Sequence, residues 1–284
     1  MRKLRAAVIV LLFMIFTLPL MPVQLLLRTV STRAARALPH WYHRQLCRIL
    51  GVRIHQHGKI AGDRPVLLIA NHISWLDIPV FSAIAPVCFV AKSEVGAWPF
   101  IGWLARLQNT IFINRGQRRA THDSTNKIIA RLREGANVVI FAEGTSSDGN
   151  QVLPFKTSLF AAAMPRGESA GAVREGIYVQ TAAIGYTHQQ GLPLARRGRP
   201  TVAWYGDMEI AGHAWQLLKR GPLDVHVRIG APVSLDAFAG RKELARFAED
   251  EVRRAFADIL TPRAGRAPDQ PWEESLFESG DGNL

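Results

Sequence analysis

The sequence predicts an α/β fold: a mixed sheet flanked by helices, behind an N-terminal helical segment that anchors to a membrane. Three observations predict it. Short apolar runs alternate with amphipathic stretches through most of the chain, the pattern of strands covered by helices. A charge-free apolar run, Ala6 to Leu27, opens the chain and is about long enough to cross a bilayer core. The formal charge of +12 gathers around that run: Met1 to Ile60 holds no Asp or Glu, against Arg2, Lys3, Arg5, Arg28, Arg33, Arg36, Arg44, Arg48, Arg53 and Lys59.

Residues 1–30 read as the anchor. Pro19, Pro22 and Gln24 interrupt a uniform span, so a kinked transmembrane helix and a helical hairpin dipping into one leaflet both fit. A cleaved signal peptide is a third reading, because Met1-Arg2-Lys3-Leu4-Arg5 resembles a charged n-region. The long apolar part and the lack of a small-x-small site after Leu27 favour a retained anchor. Positive flanks keep the rest of the chain in the cytoplasm.

Residues 31–50 form an amphipathic helix, with Trp41, Leu46, Ile49 and Leu50 on one face and Arg44 and Arg48 on another. It suits a membrane interface and suits packing on the domain equally. Residues 51–262 carry the sheet. Strands are expected at Val52–His55, Val66–Ala70, Val87–Ala91, Thr110–Asn114, Val138–Ala142, Tyr178–Gly185, Thr201–Tyr205 and Val225–Ile229. A helix is expected from Ala120 to Glu134, with Ile128, Ile129 and Leu132 inward and Gly135 ending it. Another runs from Glu243 to Leu260, stopped by Thr261-Pro262. Residues 263–284 are rich in Gly, Pro and acids and read as a mobile acidic tail. Cys47 and Cys88 lie in apolar contexts without ligand spacing, so they read as buried thiols, and no metal is expected.

Chemistry concentrates where strands end. Asn71-His72-Ile73-Ser74-Trp75-Leu76-Asp77 follows the Val66–Ala70 run. If the chain turns into a helix near Ser74, Asp77 returns under the imidazole of His72. A carboxylate on one ring nitrogen fixes the tautomer and leaves the other to take a proton. Ser74 reads as the helix cap. The pair alone is also compatible with a capped helix start and a surface histidine. Lys92 ends the next strand. Arg115, in Phe112-Ile113-Asn114-Arg115-Gly116, has the fork that grips phosphate or carboxylate, and Arg118 and Arg119 follow it. Phe141-Ala142-Glu143-Gly144-Thr145 follows a further strand. There a glycine permits close approach or a positive φ, and the Gly144 and Thr145 N–H groups are candidate oxyanion donors.

In this order and spacing the three segments resemble the motifs of the PlsC-type glycerolipid acyltransferase family, from about Pro65 to Pro232. The resemblance implies a glycerol-3-phosphate acyltransferase-like fold at a membrane, with no cofactor. It implies direct transfer of a fatty acyl chain from acyl carrier protein or coenzyme A to a lysolipid hydroxyl. It makes His72 the base and Asp77 its orienting partner, and it assigns substrate binding to Arg115, Gly116, Glu143, Gly144 and Thr145, with Lys92 beside them. An acidic carrier protein would favour a basic face.

Two departures stand out. Ala142 and Ser146 replace the Pro and Arg of the third motif, and Gln180-Thr181-Ala182-Ala183-Ile184 lacks the Pro-Val of the fourth. The segments Glu143–Asn150, Leu153–Lys156, Ala203–Asp207, Trp215 and Pro222–Val225 are similar to a bacterial branch that includes lyso-ornithine lipid and some lysophosphatidate acyltransferases. Ornithine lipids carry no phosphate, so loss of the phosphate-holding arginine slightly favours a lyso-ornithine acceptor over lysophosphatidate. The resemblance implies a bacterial inner membrane, with the catalytic domain facing the cytoplasm. Three other readings are a non-catalytic lipid-binding module, a hydrolase and a nucleic-acid binder. The intact His72-Asp77 pair opposes the first. An acceptor pocket that excludes water would separate the second. Clustering of charge around the anchor and the lack of a nucleic-acid motif oppose the third.

Overall fold

A computed structural model describes residues 1–113, 118–160, 164 and 176–261, with the side chains of residues 118–125 outside the described set. Arg115 and Gly116, the side chains of Arg118 and Arg119, and the 263–284 tail lie outside the described residues.

Nine strands of the described residues make one mixed sheet. They are β1 (Val52–His57), β2 (Val66–Ala70), β3 (Val87–Lys92), β4 (Ile111–Ile113), β5 (Asn137–Phe141), β6 (Tyr178–Gln189), β7 (Leu192–Pro193), β8 (Leu223–Ile229) and β9 (Val233–Ser234). The order is β1-β8-β6-β2-β5-β3-β4, with β7 and β9 paired to β6. β6, β2, β5, β3 and β4 run parallel, and β8 runs antiparallel to β6. Every residue of β2 is buried, which is why its sequence is apolar throughout rather than alternating.

The register sets the site. Ala70 pairs with Phe141, Phe89 with Val139, and Lys92 with Ile113. The carboxyl ends of β2, β3, β4 and β5 therefore share one edge, where ligands of such sheets bind.

The described residues form eight helices: α1 (Arg2–Val30), α2 (Thr32–Leu50), α3 (Asp77–Ile84), α4 (Ile101–Leu107), α5 (Arg118–Arg133), α6 (Thr157–Phe160), α7 (Ile210–Arg220) and α8 (Arg241–Leu260). α5 buries Ile128, Ile129 and Leu132 and ends before Gly135 at φ 76°. α8 lays Leu244, Ala248, Val252, Phe256 and Ile259 on the sheet. It comes so close that a Cβ on Gly185 would stand 2.7 Å from Ile259 Cγ2.

The apolar run is one helix, continuous through Pro19 and Pro22, so there is no hairpin inside it. The reversal comes at Ser31, whose side chain accepts the Ala34 N–H, and α2 returns along α1. Thr17 Oγ1 meets Tyr42 Oη at 2.7 Å, and Phe16 stacks on Tyr42 at 5.3 Å. Gln24, the polar interruption, is buried and donates to the carbonyls of Ala35 and Leu107, at 2.8 and 2.9 Å. Arg28 donates to Arg106 O at 3.0 Å, and at the other end Arg5 donates to Leu218 O. α1 is thus fastened to the domain at both ends. Val8, Leu11, Leu12, Ile15, Leu18 and Leu26 stay exposed.

Three expectations need correction. The inward face of α2 is Ala35, His43, Leu46, Cys47 and Leu50, with Trp41 exposed. The helical repeat carries position 41 off that stripe, and its ring lies 5.6 Å from Phe16. Thr201–Tyr205 is not a strand. A 3-10 turn, Arg199–Thr201, takes in its first residue, with Pro200 inside the turn. Val202 and Ala203 are apolar because the loop itself is buried. Third, Ser74 does not cap α3. The helix begins at Asp77, and Ser74 Oγ is buried without a partner.

Candidate active site

Asn71 is the first residue beyond β2, and its side chain extends the ladder. Its Nδ2 donates to Ile184 O at 3.0 Å, and its Oδ1 accepts from Ile184 N at 2.8 Å. The amide imitates a peptide group, so β2 stays joined to β6 while its own backbone turns away with His72.

The turn is organised by Asp77, which is fully buried. Its Oδ2 accepts from His72 Nδ1 at 2.7 Å, Ile73 N at 2.7 Å and Ser74 N at 3.0 Å. Its Oδ1 accepts the Tyr186 hydroxyl from β6 at 2.7 Å. Four donors on one carboxylate offset the cost of burying it. Burial, and then the Asp77 charge, push the Tyr186 phenol well above its ordinary value, so it stays a donor. Tyr186 lies 109 positions from Asp77, and no local pattern announces that meeting.

The His72 ring stacks on Phe141 at 4.1 Å and 14°. Its side chain keeps 18% of its surface accessible. Nδ1 is committed to Asp77, which leaves Nε2 as the nitrogen for proton transfer.

Glu143 is buried. Its Oε1 accepts the His72 backbone N–H at 2.8 Å, and its Oε2 accepts the Leu153 N–H at 3.0 Å. Burial raises its carboxyl to about 8, against the lowering effect of those two bonds. Gly144 takes φ 71° and donates its N–H to Phe141 O at 3.1 Å, which turns that candidate oxyanion donor back into the loop. Thr145 is exposed. Lys92 is exposed at the end of β3, on the same sheet edge.

A second loop seals this turn. Ser147 N donates to His72 O at 2.8 Å, and Trp204 N to Ile73 O at 2.9 Å. The Ser146 hydroxyl donates to Trp204 O. Gly149, at φ 79°, passes so near that a Cβ there would stand 3.3 Å from Ile73 Cγ2. Trp75 Nε1 donates to His213 Nδ1 of α7 at 3.0 Å. Among the described residues no group of three or more His, Cys, Asp or Glu could hold a metal.

The arrangement provides a buried carboxylate, an oriented imidazole and an accessible sheet edge, which together serve to take a proton from a hydroxyl. Residues 51–185 match the family model described as Acyltransferase. A lyso-ornithine lipid O-acyltransferase of Rhizobium meliloti is 43% identical over 267 residues, 93% of this chain and 89% of the relative. A 1-acyl-sn-glycerol-3-phosphate acyltransferase of Neisseria meningitidis is 32% identical over 203 residues, 71% of this chain and 74% of the relative. The fold resembles the crystal structure of the 1-acyl-sn-glycerophosphate acyltransferase PlsC of Thermotoga maritima, with TM-score 0.61 and 21% identity, covering 91% of this chain and 98% of that one. With identity of that extent over nearly the whole of both chains, the chain belongs to the PlsC-type acyltransferase family.

Proposed function

We propose that the protein is a membrane-bound lyso-ornithine lipid O-acyltransferase, using acyl carrier protein or coenzyme A thioesters. The observation that carries the chemistry is the 2.7 Å bond from His72 Nδ1 to an Asp77 held by three further donors. His72 Nε2 takes the proton of the acceptor hydroxyl as its oxygen attacks the thioester carbonyl. Asp77 stabilises the imidazolium. The C–S bond then breaks, and the proton passes from Nε2 to the leaving thiolate. Lys92, Arg115, Gly116 and Thr145 serve the substrates' charged ends. Glu143 positions His72 through its backbone.

Ser146 in place of the family's arginine, together with relatives named for lyso-ornithine lipid, supports the acceptor. Lys92 on the same edge supports a second reading, lysophosphatidate, which the Neisseria relative's name also suggests.

For the chain as a whole we infer an anchor at 1–30, an amphipathic helix at 31–50, the acyltransferase domain at 51–262 and a tail at 263–284. A helix of about 43 Å fastened at both ends to one domain lies along that domain. Its exposed leucines and isoleucines then enter one leaflet of the inner membrane from the cytoplasmic side. The test is purified protein with labelled acyl donors, acyl carrier protein and coenzyme A in separate arms, and a panel of lysolipids. The reading expects esterified ornithine lipid as the main product.

A further inference from the structure

We propose that Arg199 and Asp148 form the headgroup subsite of this enzyme, built for a zwitterion carrying a carboxylate and an ammonium rather than for a phosphate. The inference rests on the acceptor reading above and names the residues that would enforce it.

The geometry places both residues against the catalytic turn. Asp148 lies between Ser147, which donates to His72 O at 2.8 Å, and Gly149, which packs on Ile73. Arg199 lies on the opposing loop, its Cβ 3.5 Å from where a Gly149 Cβ would be. Asn150 stands between the two charges. Its Nδ2 donates to Asp148 Oδ2 at 3.0 Å, its Oδ1 accepts from Arg199 Nη1 at 3.3 Å, and its backbone N–H donates to Asp148 Oδ1 at 2.9 Å. One amide thus holds a guanidinium and a carboxylate a fixed distance apart instead of letting them collapse into an ion pair.

Both charges keep capacity for a ligand. Each oxygen of Asp148 has a further lone pair. Arg199 is half-buried, and Asn150 engages one of its five N–H donors. Burial, and then the Arg196 charge, hold its guanidinium below the ordinary value against the opposing charge of Asp148, so charges of both signs lie near it. A phosphate would gain from Arg199 and be repelled by Asp148. An amino-acid headgroup would satisfy both, its carboxylate on Arg199 through a charge-assisted hydrogen bond and its ammonium on Asp148. Ser146, where the family's phosphate arginine would stand, turns away to Trp204 O.

The test crosses variants with acceptors on full-length protein in vesicles or detergent. Wild type, Arg199→Gln, Arg199→Lys and Asp148→Asn are assayed on lyso-ornithine lipid, on its carboxamide, on its δ-N-acetyl derivative and on lysophosphatidate. Wild type should lose roughly tenfold to a hundredfold in kcat/KM on each blocked analogue. Arg199→Gln should lose a similar factor, mainly in KM, on lyso-ornithine lipid and little more on the carboxamide, with Arg199→Lys between. Asp148→Asn should lose on the parent, lose little more on the δ-N-acetyl derivative, and gain on lysophosphatidate. Wild type that treats the analogues like the parent would overturn the proposal even if a variant fails to fold. Equal losses on all acceptors would reduce the residues to loop structure and overturn it too. Wild type inactive on lyso-ornithine lipid would defeat the acceptor reading itself, and the subsite with it.

Discussion

Glu143 Oε1 accepts the backbone N–H of His72 at 2.8 Å. The acid of the third motif therefore grips the histidine of the first by its main chain. Its other oxygen takes Leu153 N at 3.0 Å, so one side chain joins the two loops that leave β2 and β5. Glu143→Gln keeps one acceptor and turns an amide N–H₂ against the other backbone donor. Leaving that donor unmet costs about 1–3 kcal/mol. The expected result is a fall in kcat with acceptor KM little changed. A large rise in KM with kcat intact would make Glu143 a substrate contact instead.

The same residue predicts a pH effect on stability. Burial raises its carboxyl from 4.5 to about 8, so the folded state binds the proton more tightly than the unfolded state. Its contribution is full below pH 4.5 and is lost as pH rises towards 8. Denaturant unfolding should show the wild type losing stability over that window relative to Glu143→Gln, which has no such proton. Parallel curves would contradict this.

Asp77→Asn tests orientation against charge. Two backbone N–H groups point at Oδ2, so the amide oxygen of an Asn would settle there, and its N–H₂ would face Tyr186. The His72 tautomer is then kept and only the negative charge is lost. We expect kcat to fall roughly a hundredfold, less than the 10⁴ or so seen where the tautomer is lost as well. Tyr186→Phe removes one of the four donors and should cost about 1 kcal/mol of stability and up to about tenfold in kcat. Wild-type rates in Asp77→Asn would remove Asp77 from the mechanism.

Ser146→Arg restores the family's residue. It should raise lysophosphatidate acylation by roughly tenfold to a hundredfold, the worth of a charge-assisted hydrogen bond, and leave lyso-ornithine acylation unchanged or lower. It also breaks the bond to Trp204 O, so the ratio of the two activities is the quantity to measure. An unchanged ratio would mean that this position does not select the acceptor.

The exposed stripe of α1 is open to the same kind of test. Leu11→Glu with Ile15→Glu changes two exposed side chains and leaves Arg5, Gln24 and Arg28 to hold the helix. Flotation with vesicles should drop sharply, with folding retained. Flotation that stays complete in high salt would place the membrane contact elsewhere.

Much of this was legible in the sequence because it is local. The strand before His72, the five-residue return to Asp77 and the stripe of α5 follow from periodicity and spacing. What was hidden is what meets across distance. Tyr186 reaches Asp77 only because β6 lies beside β2, and Glu143 faces inward only because Leu153 and His72 offer it two N–H groups. Thr201–Tyr205 read as a strand because burial alone makes a segment apolar. Trp41 is apolar but falls off the buried stripe of α2, where its ring meets Phe16 of α1 instead.

The most direct test of the account is His72→Ala, assayed for acyl transfer to lyso-ornithine lipid with circular dichroism as the check on folding. With Asp77, Glu143 and Tyr186 left in place, the account predicts a native-like spectrum and a fall in kcat of roughly a hundredfold to ten-thousandfold, the usual worth of a general base. A folded His72→Ala protein turning over at a near-normal rate would contradict it.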